Sequence, residues 1–180
     1  MDITRRRLLS FVPAAALLTA VKPQFASADT GTDITRLLAN TVAIFAGTAE
    51  SNARPEVAAK LAAIDQTART WLSAMNTAGA GQLFAGLPLG TSDPNLTSSY
   101  QHLYEIALAT RRPGGIASDL QGNVAVQRRV IDGLVWLHEN YYGDQSRGYY
   151  GNWFNWEIGI SSHVSKTLVL LADQLQAYRP

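Results

Sequence analysis

The residues best suited to chemistry lie in one short stretch, 149–159, which reads Tyr-Tyr-Gly-Asn-Trp-Phe-Asn-Trp-Glu-Ile-Gly. Five of these eleven residues are aromatic, and seven of the chain's 16 aromatic residues fall within 141–156. Aromatic residues that lie beside turn-forming Gly and Asn, outside a periodic apolar run, indicate an exposed surface. A flat ring beside an amide suits a sugar, which has an apolar C–H face and a polar rim of hydroxyls. The alternative is a hydrophobic plug that seals the loop onto the core, since large aromatic side chains are usually well buried.

The other polar residues do not form a pattern for metal or cofactor chemistry. His102, His138 and His163 each lie alone in a predicted helix, without the H-x-x-x-H or H-E-x-x-H spacing of metal sites. The chain has no cysteine, and its sequence contains no phosphate-binding loop, G-x-S-x-G elbow or dinucleotide fingerprint. We therefore predict no metal and no cofactor. The pairs Arg111-Arg112 and Arg128-Arg129 are interpreted as solvated helix faces, although either could reach a carboxylate.

Helices joined by Gly, Pro, Asn and Ser turns must position the aromatic stretch. The apolar residues follow the 3.6-residue period of amphipathic helices and lack the two-residue alternation of strands. We expect the first helix to turn inward Ile34, Leu37, Leu38, Ile44 and Phe45. We expect the last helix to bury Ile160, Val164, Leu168, Leu171 and Leu175, and Asp93 to be the N-cap of the third helix. The fold class predicted is all-α, with helices over 33–48, 55–76, 94–110, 123–142 and 156–178 and a long loop over 79–92.

Composition indicates one globular domain preceded by an export segment. The chain has 180 residues, of which 47% are hydrophobic and 16% charged, as in folded proteins. Basic residues Arg5, Arg6 and Arg7 precede an apolar stretch too short to span a bilayer, and 26–28 (Ala-Ser-Ala) matches a cleavage site. We predict a twin-arginine export signal over 1–28 and a mature domain over 29–180. The alternatives are an ordinary secretory signal or an uncleaved anchor.

The net charge of the mature domain gives no reason to expect nucleic acid as a partner. Of the 15 basic and 14 acidic residues, four basic and one acidic lie in 1–28, which leaves 11 basic and 13 acidic in 29–180. A broad positive field, the usual footprint of a nucleic-acid-binding surface, is therefore not expected. We also predict no stable membrane span once the signal is cleaved.

The run Asn-Trp-Phe-Asn-Trp-Glu-Ile-Gly-Ile over 152–160 resembles the signature N-W-W-[DE]-x-E-I-G-x-P-[RK] of polysaccharide lyase family 8, the lyases of hyaluronate, chondroitin and xanthan. The resemblance implies a helical catalytic domain built as an incomplete α/α toroid, of which this chain is the truncated N-terminal part. It implies β-elimination on uronic-acid-containing polysaccharide, and transfers substrate binding to Asn152, Trp153 and Phe154. Ser161-Ser162 stands where the family has Pro and then Arg or Lys, so a cation that could hold an acidic polymer is missing.

The resemblance transfers no catalytic residue. The Asn, His and Tyr that do the chemistry in the family come later than this motif, and the residues after Trp156 do not contain those segments. Trp156 and Glu157 also match the motif, and we interpret both as structural, with Trp156 packed beneath the loop and Glu157 favourably placed in the first turn of the last helix. The hypothesis is therefore an inactive N-terminal fragment of a secreted lyase, which binds acidic polysaccharide and self-associates through an uncovered last hairpin. The alternatives are a non-catalytic glycan-binding helical module, and an export-associated helical protein whose aromatic stretch is only a plug.

Overall fold

A computed structural model describes residues 30–143 and 148–177 of the chain. The predicted export segment, 1–28, and Tyr178 lie outside these residues. The chain divides into two compact units, Met1–Arg36 and Leu37–Pro180. In the described residues of the first unit, 31–36 are exposed turns of a helix. The second unit contains the aromatic stretch and the helices that position it.

All regular structure in the described residues is helical and no strand occurs there, so the all-α prediction is confirmed. Short irregular helices accompany the α-helices: a 3₁₀ turn at Pro55–Val57 and two π-helical segments, His138–Tyr142 and Asn155–Ile160. The α-helices in these ranges are α1 (Thr30–Ala46), α2 (Ala49–Asn52), α3 (Ala58–Asn76), α4 (Asp93–Arg111), α5 (Val124–Leu137), α6 (Ser161–Leu170) and α7 (Ala172–Ala177).

Helix α4 lies at the centre of the second unit and packs against α3, α5, α6 and the second π-helical segment. Its buried side follows the helical period through Leu96, Tyr100, Leu103 and Ala107, all of which have almost no exposed surface. The N-cap is Ser92, whose hydroxyl accepts from the backbone N–H of Asn95. The prediction that Asp93 caps this helix is therefore wrong, and its carboxylate instead accepts hydrogen bonds from the aromatic stretch.

Helix α3 agrees with the predicted pattern, whereas α1 departs from it. Leu61 and Ala68 of α3 are buried. In α1, Ile34, Leu37 and Ile44 are among the large exposed hydrophobic residues, contrary to the prediction. Phe45, also predicted to face inward, does pack on the core, together with Val42 and Ala46. The helix carries two apolar stripes, and a period shows which residues share a face but not which face meets the core.

Arg112 is buried rather than solvated, although it belongs to a pair predicted to face water. Only 1% of its surface is exposed. Its guanidinium donates to the carbonyl of Ile116 at 3.2 Å and to Asp65 Oδ1 at 3.4 Å. Burial alone would raise the pKa of the Asp65 carboxyl, but hydrogen bonds from Ser118, Arg69 and Arg112 bring it below its usual value. This ion pair ties the end of α4 to α3.

The last helix is broken near its end. Leu171 interrupts it between α6 and α7, and Leu170 and Leu171 are buried at the break. Leu168, predicted to face inward, is exposed. It lines an apolar groove of about 250 Å³ together with Leu134 and Val164. Among the described residues, no helix has both the length and the apolarity needed to cross a bilayer.

Candidate functional site

The aromatic stretch turns sharply before it enters the last helix. Gly151 has φ of +74°, a conformation that favours glycine, and a Cβ there would overlap the carboxylate of Asp93. Asn152 follows and caps the helix that begins at Trp153, because its Oδ1 accepts from the backbone N–H of Phe154 at 3.0 Å. The turn and the cap together fix the direction in which Trp153 and Phe154 leave the loop.

Asp93 holds this turn against the first residues of α4. Its Oδ2 accepts from the backbone N–H of Asn152 at 2.9 Å and from Nδ2 of Asn155 at 2.6 Å. These hydrogen bonds, with that from Asn155 the stronger, lower the pKa of the Asp93 carboxyl. Only 8% of the residue is exposed. We call this group of Asp93, Gly151, Asn152 and Asn155 the aspartate clamp. It joins parts of the chain that are about 60 residues apart.

Trp156 is the plug beneath the loop, and only 2% of it is exposed. Its ring lies in a stack between two tyrosines, with centroids 5.0 Å from Tyr149 and 5.9 Å from Tyr142, both tilted by 12°. Tyr150 meets its edge at 4.9 Å, and the Tyr150 carbonyl accepts from Trp156 Nε1 at 2.8 Å. The prediction that Trp156 packs beneath the loop is confirmed.

Trp153 and Phe154, which we call the aromatic patch, face solvent. Their exposed fractions are 62% and 49%, so the plug interpretation does not hold for these two residues. Their ring centroids are 6.1 Å apart and their planes meet at 75°. The patch is therefore a corner rather than a flat floor. A sugar that stacks on one ring meets the edge of the other, and one saccharide cannot lie flat on both.

The side-chain nitrogen of Asn152, Nδ2, is available to a ligand. Its Oδ1 is used by the helix cap, whereas its Nδ2 donates to no atom of residues 30–143 or 148–177. The side chain is exposed. It can therefore offer N–H donors to a sugar oxygen, and its Oδ1 keeps one lone pair beyond the helix cap. Its backbone and side chain also carry a structural role that the sequence pattern does not indicate.

Glu157 and Tyr149 form a polar pair at the surface of the stretch. The Tyr149 hydroxyl donates to Glu157 Oε1 at 2.6 Å, and both residues are exposed. This hydrogen bond to the charged carboxylate raises the pKa of Tyr149 to about 12. The sequence predicts a role for Glu157 only through its place in the first helical turn, and it does not predict Tyr149 as a site residue. No local sequence signal links the two.

His102 lies in α4 and His163 in α6, outside the stretch 149–159. His102 is stacked on Trp71, with centroids 3.5 Å apart, and its Nδ1 is 3.4 Å from Glu105 Oε2. Burial, and then the nearby Lys166, lower the pKa of His163. Within the described ranges, no group of three or more His, Cys, Asp or Glu residues could hold a metal ion.

Comparisons with known proteins agree on one family. The profile of the "Polysaccharide lyase family 8, N terminal alpha-helical domain" matches residues 41–179. The chain is 31% identical to the xanthan lyase of Bacillus sp. strain GL1 over 96% of this chain, and 28% identical to the hyaluronate lyase of Staphylococcus aureus over 67% of it. A solved structure of a Paenibacillus xanthan lyase superposes with a TM-score of 0.68 at 29% identity, covering 79% of this chain.

The chain spans only a small part of these larger proteins. The matched region is 19% of the Bacillus xanthan lyase, 17% of the Staphylococcus hyaluronate lyase and 14% of the Paenibacillus chain. The match therefore concerns the helical region in which the aromatic patch and the aspartate clamp lie.

Proposed function

Because the chain belongs to polysaccharide lyase family 8, through that family's N-terminal α-helical domain, we propose that Asn152, Trp153 and Phe154 bind an acidic, uronic-acid-containing polysaccharide. The observation that carries the proposal is the contrast between the solvent-facing Trp153 and Phe154 and the buried Trp156 beside them. Two large rings left in water beside an ordered, hydrogen-bonded turn suit an apolar sugar face. The names of the relatives, xanthan lyase and hyaluronate lyase, support a polymer that contains uronic acid.

In this proposal the chain holds the substrate of a β-elimination reaction but does not supply the proton transfers. Elimination next to a uronic acid needs a donor that neutralises the carboxylate, a base for the C5 proton and an acid for the leaving oxygen. The two asparagines beside the patch have structural roles. Asn152 is a helix cap and Asn155 is bound to Asp93. We propose that this chain is the substrate-holding N-terminal part of a lyase and is inactive alone.

We further propose that the domain is exported. Three sequence features support export: the arginines near the start of the chain, the apolar stretch after them, and the Ala-Ser-Ala site before residue 29. A reporter protein fused after residue 30 should leave the bacterial cytoplasm only when a twin-arginine translocase is present. Replacement of Arg5, Arg6 and Arg7 by Lys should stop that export. Export that survives in a strain without the translocase would contradict the twin-arginine assignment.

Retention in a hyaluronan-containing native gel tests the binding proposal. Covering about 100 Å² of ring surface contributes roughly 2.5 kcal/mol, at about 25 cal/mol per Å². This corresponds to about 60-fold in affinity. The double variant Trp153→Ala/Phe154→Ala should therefore lose retention. The matched control is Leu37→Ala/Ile44→Ala, which removes two exposed apolar side chains from α1. Equal retention of the patch variant and the wild type would refute the proposal.

A cleavage assay tests the second part of the proposal. The purified chain should release no unsaturated uronate, followed by its ultraviolet absorbance, from hyaluronan, chondroitin or xanthan. Steady release of that product would show that the chain carries its own acid and base. Binding without cleavage is also what the glycan-binding-module alternative predicts. The two differ when the rest of a family 8 lyase is added, because only a lyase part would then restore cleavage.

A further inference from the structure

The polar pair beside the aromatic patch has a chemical character that the proposed binding role does not use. Glu157 follows Trp153 by four residues, about one turn of the helix, so the two residues occupy neighbouring positions on one face. Tyr149 reaches Glu157 from the loop, and its ring is held at a fixed angle by the stack on Trp156. The pair therefore borders the surface on which a sugar would lie.

The pair presents hydrogen-bond acceptors and no donors. The only proton of the Tyr149 hydroxyl is directed to Glu157 Oε1. The lone pairs that remain, on the Tyr149 oxygen and on both carboxylate oxygens, can only accept. A sugar hydroxyl or an acetamido N–H could donate to this edge. A sugar carboxylate or sulfate has only acceptors to offer and would meet the negative charge of Glu157.

The charged groups near the patch also favour a neutral sugar. Within the described residues, the charged side chains that hydrogen-bond to the stretch 148–160 are both carboxylates, Asp93 and Glu157. Ser161 and Ser162 place no cation one turn further along the helix. Among the residues that the structure describes, a uronate against Trp153 would therefore meet the Glu157 carboxylate, and no Lys or Arg is hydrogen-bonded to this stretch.

Resting on the proposed polysaccharide binding, we propose that Glu157, which lies beside Tyr149, is a specificity-determining residue that admits a neutral sugar ring, not a uronate, onto Trp153. A hydroxyl or acetamido N–H of that ring donates to Glu157, and the uronate carboxylates of the polymer lie on the neighbouring residues, away from the pair. In a polymer that alternates uronate with a neutral sugar, this choice fixes the register. It decides which glycosidic bond is presented to the catalytic groups.

Calorimetry with two oligosaccharides of similar length, one neutral and one negatively charged, tests the proposal. Tetraacetylchitotetraose is neutral and offers both hydroxyl and amide donors, whereas tetragalacturonate carries a carboxylate on every ring. The wild type should bind the neutral probe at least about tenfold more tightly, the difference that one charge-assisted hydrogen bond contributes. Glu157→Gln should weaken binding of the neutral probe about tenfold. It should therefore reduce the difference in affinity between tetraacetylchitotetraose and tetragalacturonate. Tyr149→Phe, which keeps the ring stack, should retain the preference for the neutral probe.

Glu50→Gln is the matched control, because it removes one carboxylate from a side chain that is 90% exposed on α2. It should behave as the wild type. Equal effects of Glu157→Gln and Glu50→Gln, or tighter binding of tetragalacturonate by the wild type, would overturn this proposal while leaving polysaccharide binding intact. If the wild type bound neither probe nor hyaluronan, the proposed function would fail, and this proposal with it.

Discussion

Replacing Asp93 tests whether binding depends on how the aromatic patch is held, because the residues of the patch itself stay unchanged. The Asp93→Ala change removes the acceptor for Asn152 N–H and Asn155 Nδ2, while Trp153 and Phe154 stay in the sequence. A hydrogen bond to a charged group contributes about 1.5–3 kcal/mol to stability. Because the two bonds share one oxygen and one loop, their effects are not additive. We expect the free energy of unfolding to fall by about 3 kcal/mol.

Two assays measure the effect of this change. For a domain of this size, about 3 kcal/mol corresponds to a decrease of roughly 9 °C in Tm, which calorimetry can measure. Retention in a hyaluronan gel should also be lost well below the new Tm, because the turn that directs Trp153 is no longer tied to α4. The control is Ser92→Ala, which removes the neighbouring N-cap hydroxyl and costs about 1 kcal/mol. It should lower Tm slightly and leave retention unchanged.

The charge of Asp93 adds a pH signature. Its pKa is lower in the folded state than in the unfolded chain, chiefly through the hydrogen bond from Asn155. The stabilisation is therefore complete above the unfolded pKa of about 3.9 and is lost as the pH falls through the lower folded value. The stability difference between the wild type and Asp93→Asn should be constant above about pH 5 and shrink in more acidic buffer. Full retention by Asp93→Ala, or a difference that grows on acidification, would refute the clamp.

Three further changes test other parts of the structure. Arg112→Ala should lower the free energy of unfolding by about 3 kcal/mol in urea, because it removes a buried guanidinium that donates to the Ile116 carbonyl and to Asp65. Arg69→Ala, which removes a more exposed partner of the same carboxylate, should cost less, and equal costs would contradict the assignment. Trp156→Ala should cost about 3–5 kcal/mol and abolish sugar retention with the patch itself unchanged, so retention by a folded variant would contradict the plug assignment. We also expect weak self-association through the exposed Leu168, so Leu168→Lys should lower the apparent mass in size-exclusion chromatography, and a wild type that elutes as a monomer at all concentrations would contradict this.

Local patterns in the sequence predict most of the helices. The helical turn that begins at Pro55, just before α3, and the buried faces of α3 and α4 follow from turn residues and from the helical period. The sequence leaves an exposed surface and a buried plug both open for the aromatic stretch, and the structure shows Trp153 and Phe154 exposed and Trp156 buried. The sequence does not decide between the two apolar stripes of α1, because the choice depends on what packs against the helix.

The contacts that position the site could not be predicted, because they join distant parts of the chain. Nothing near Asp93 in the sequence shows that its carboxylate binds Asn152 and Asn155. The same holds for Arg112, which a local pattern places on a solvated face and the fold places beside Asp65. The angle between Trp153 and Phe154 depends on side-chain packing, so the sequence indicates two neighbouring rings but not the corner that they form.

The most direct test of sugar binding uses the indole N–H signals of the four tryptophans in a proton–nitrogen correlation spectrum. Trp153→Phe identifies the signal of Trp153, and Trp71→Phe identifies that of Trp71, whose Nε1 donates to Glu105. On titration with a hyaluronan hexasaccharide, the Trp153 signal should shift in a saturable way and the Trp71 signal should stay. If the Trp153 signal does not move at ligand concentrations that saturate the hyaluronan-binding proteins used as positive controls, the patch does not bind the polysaccharide.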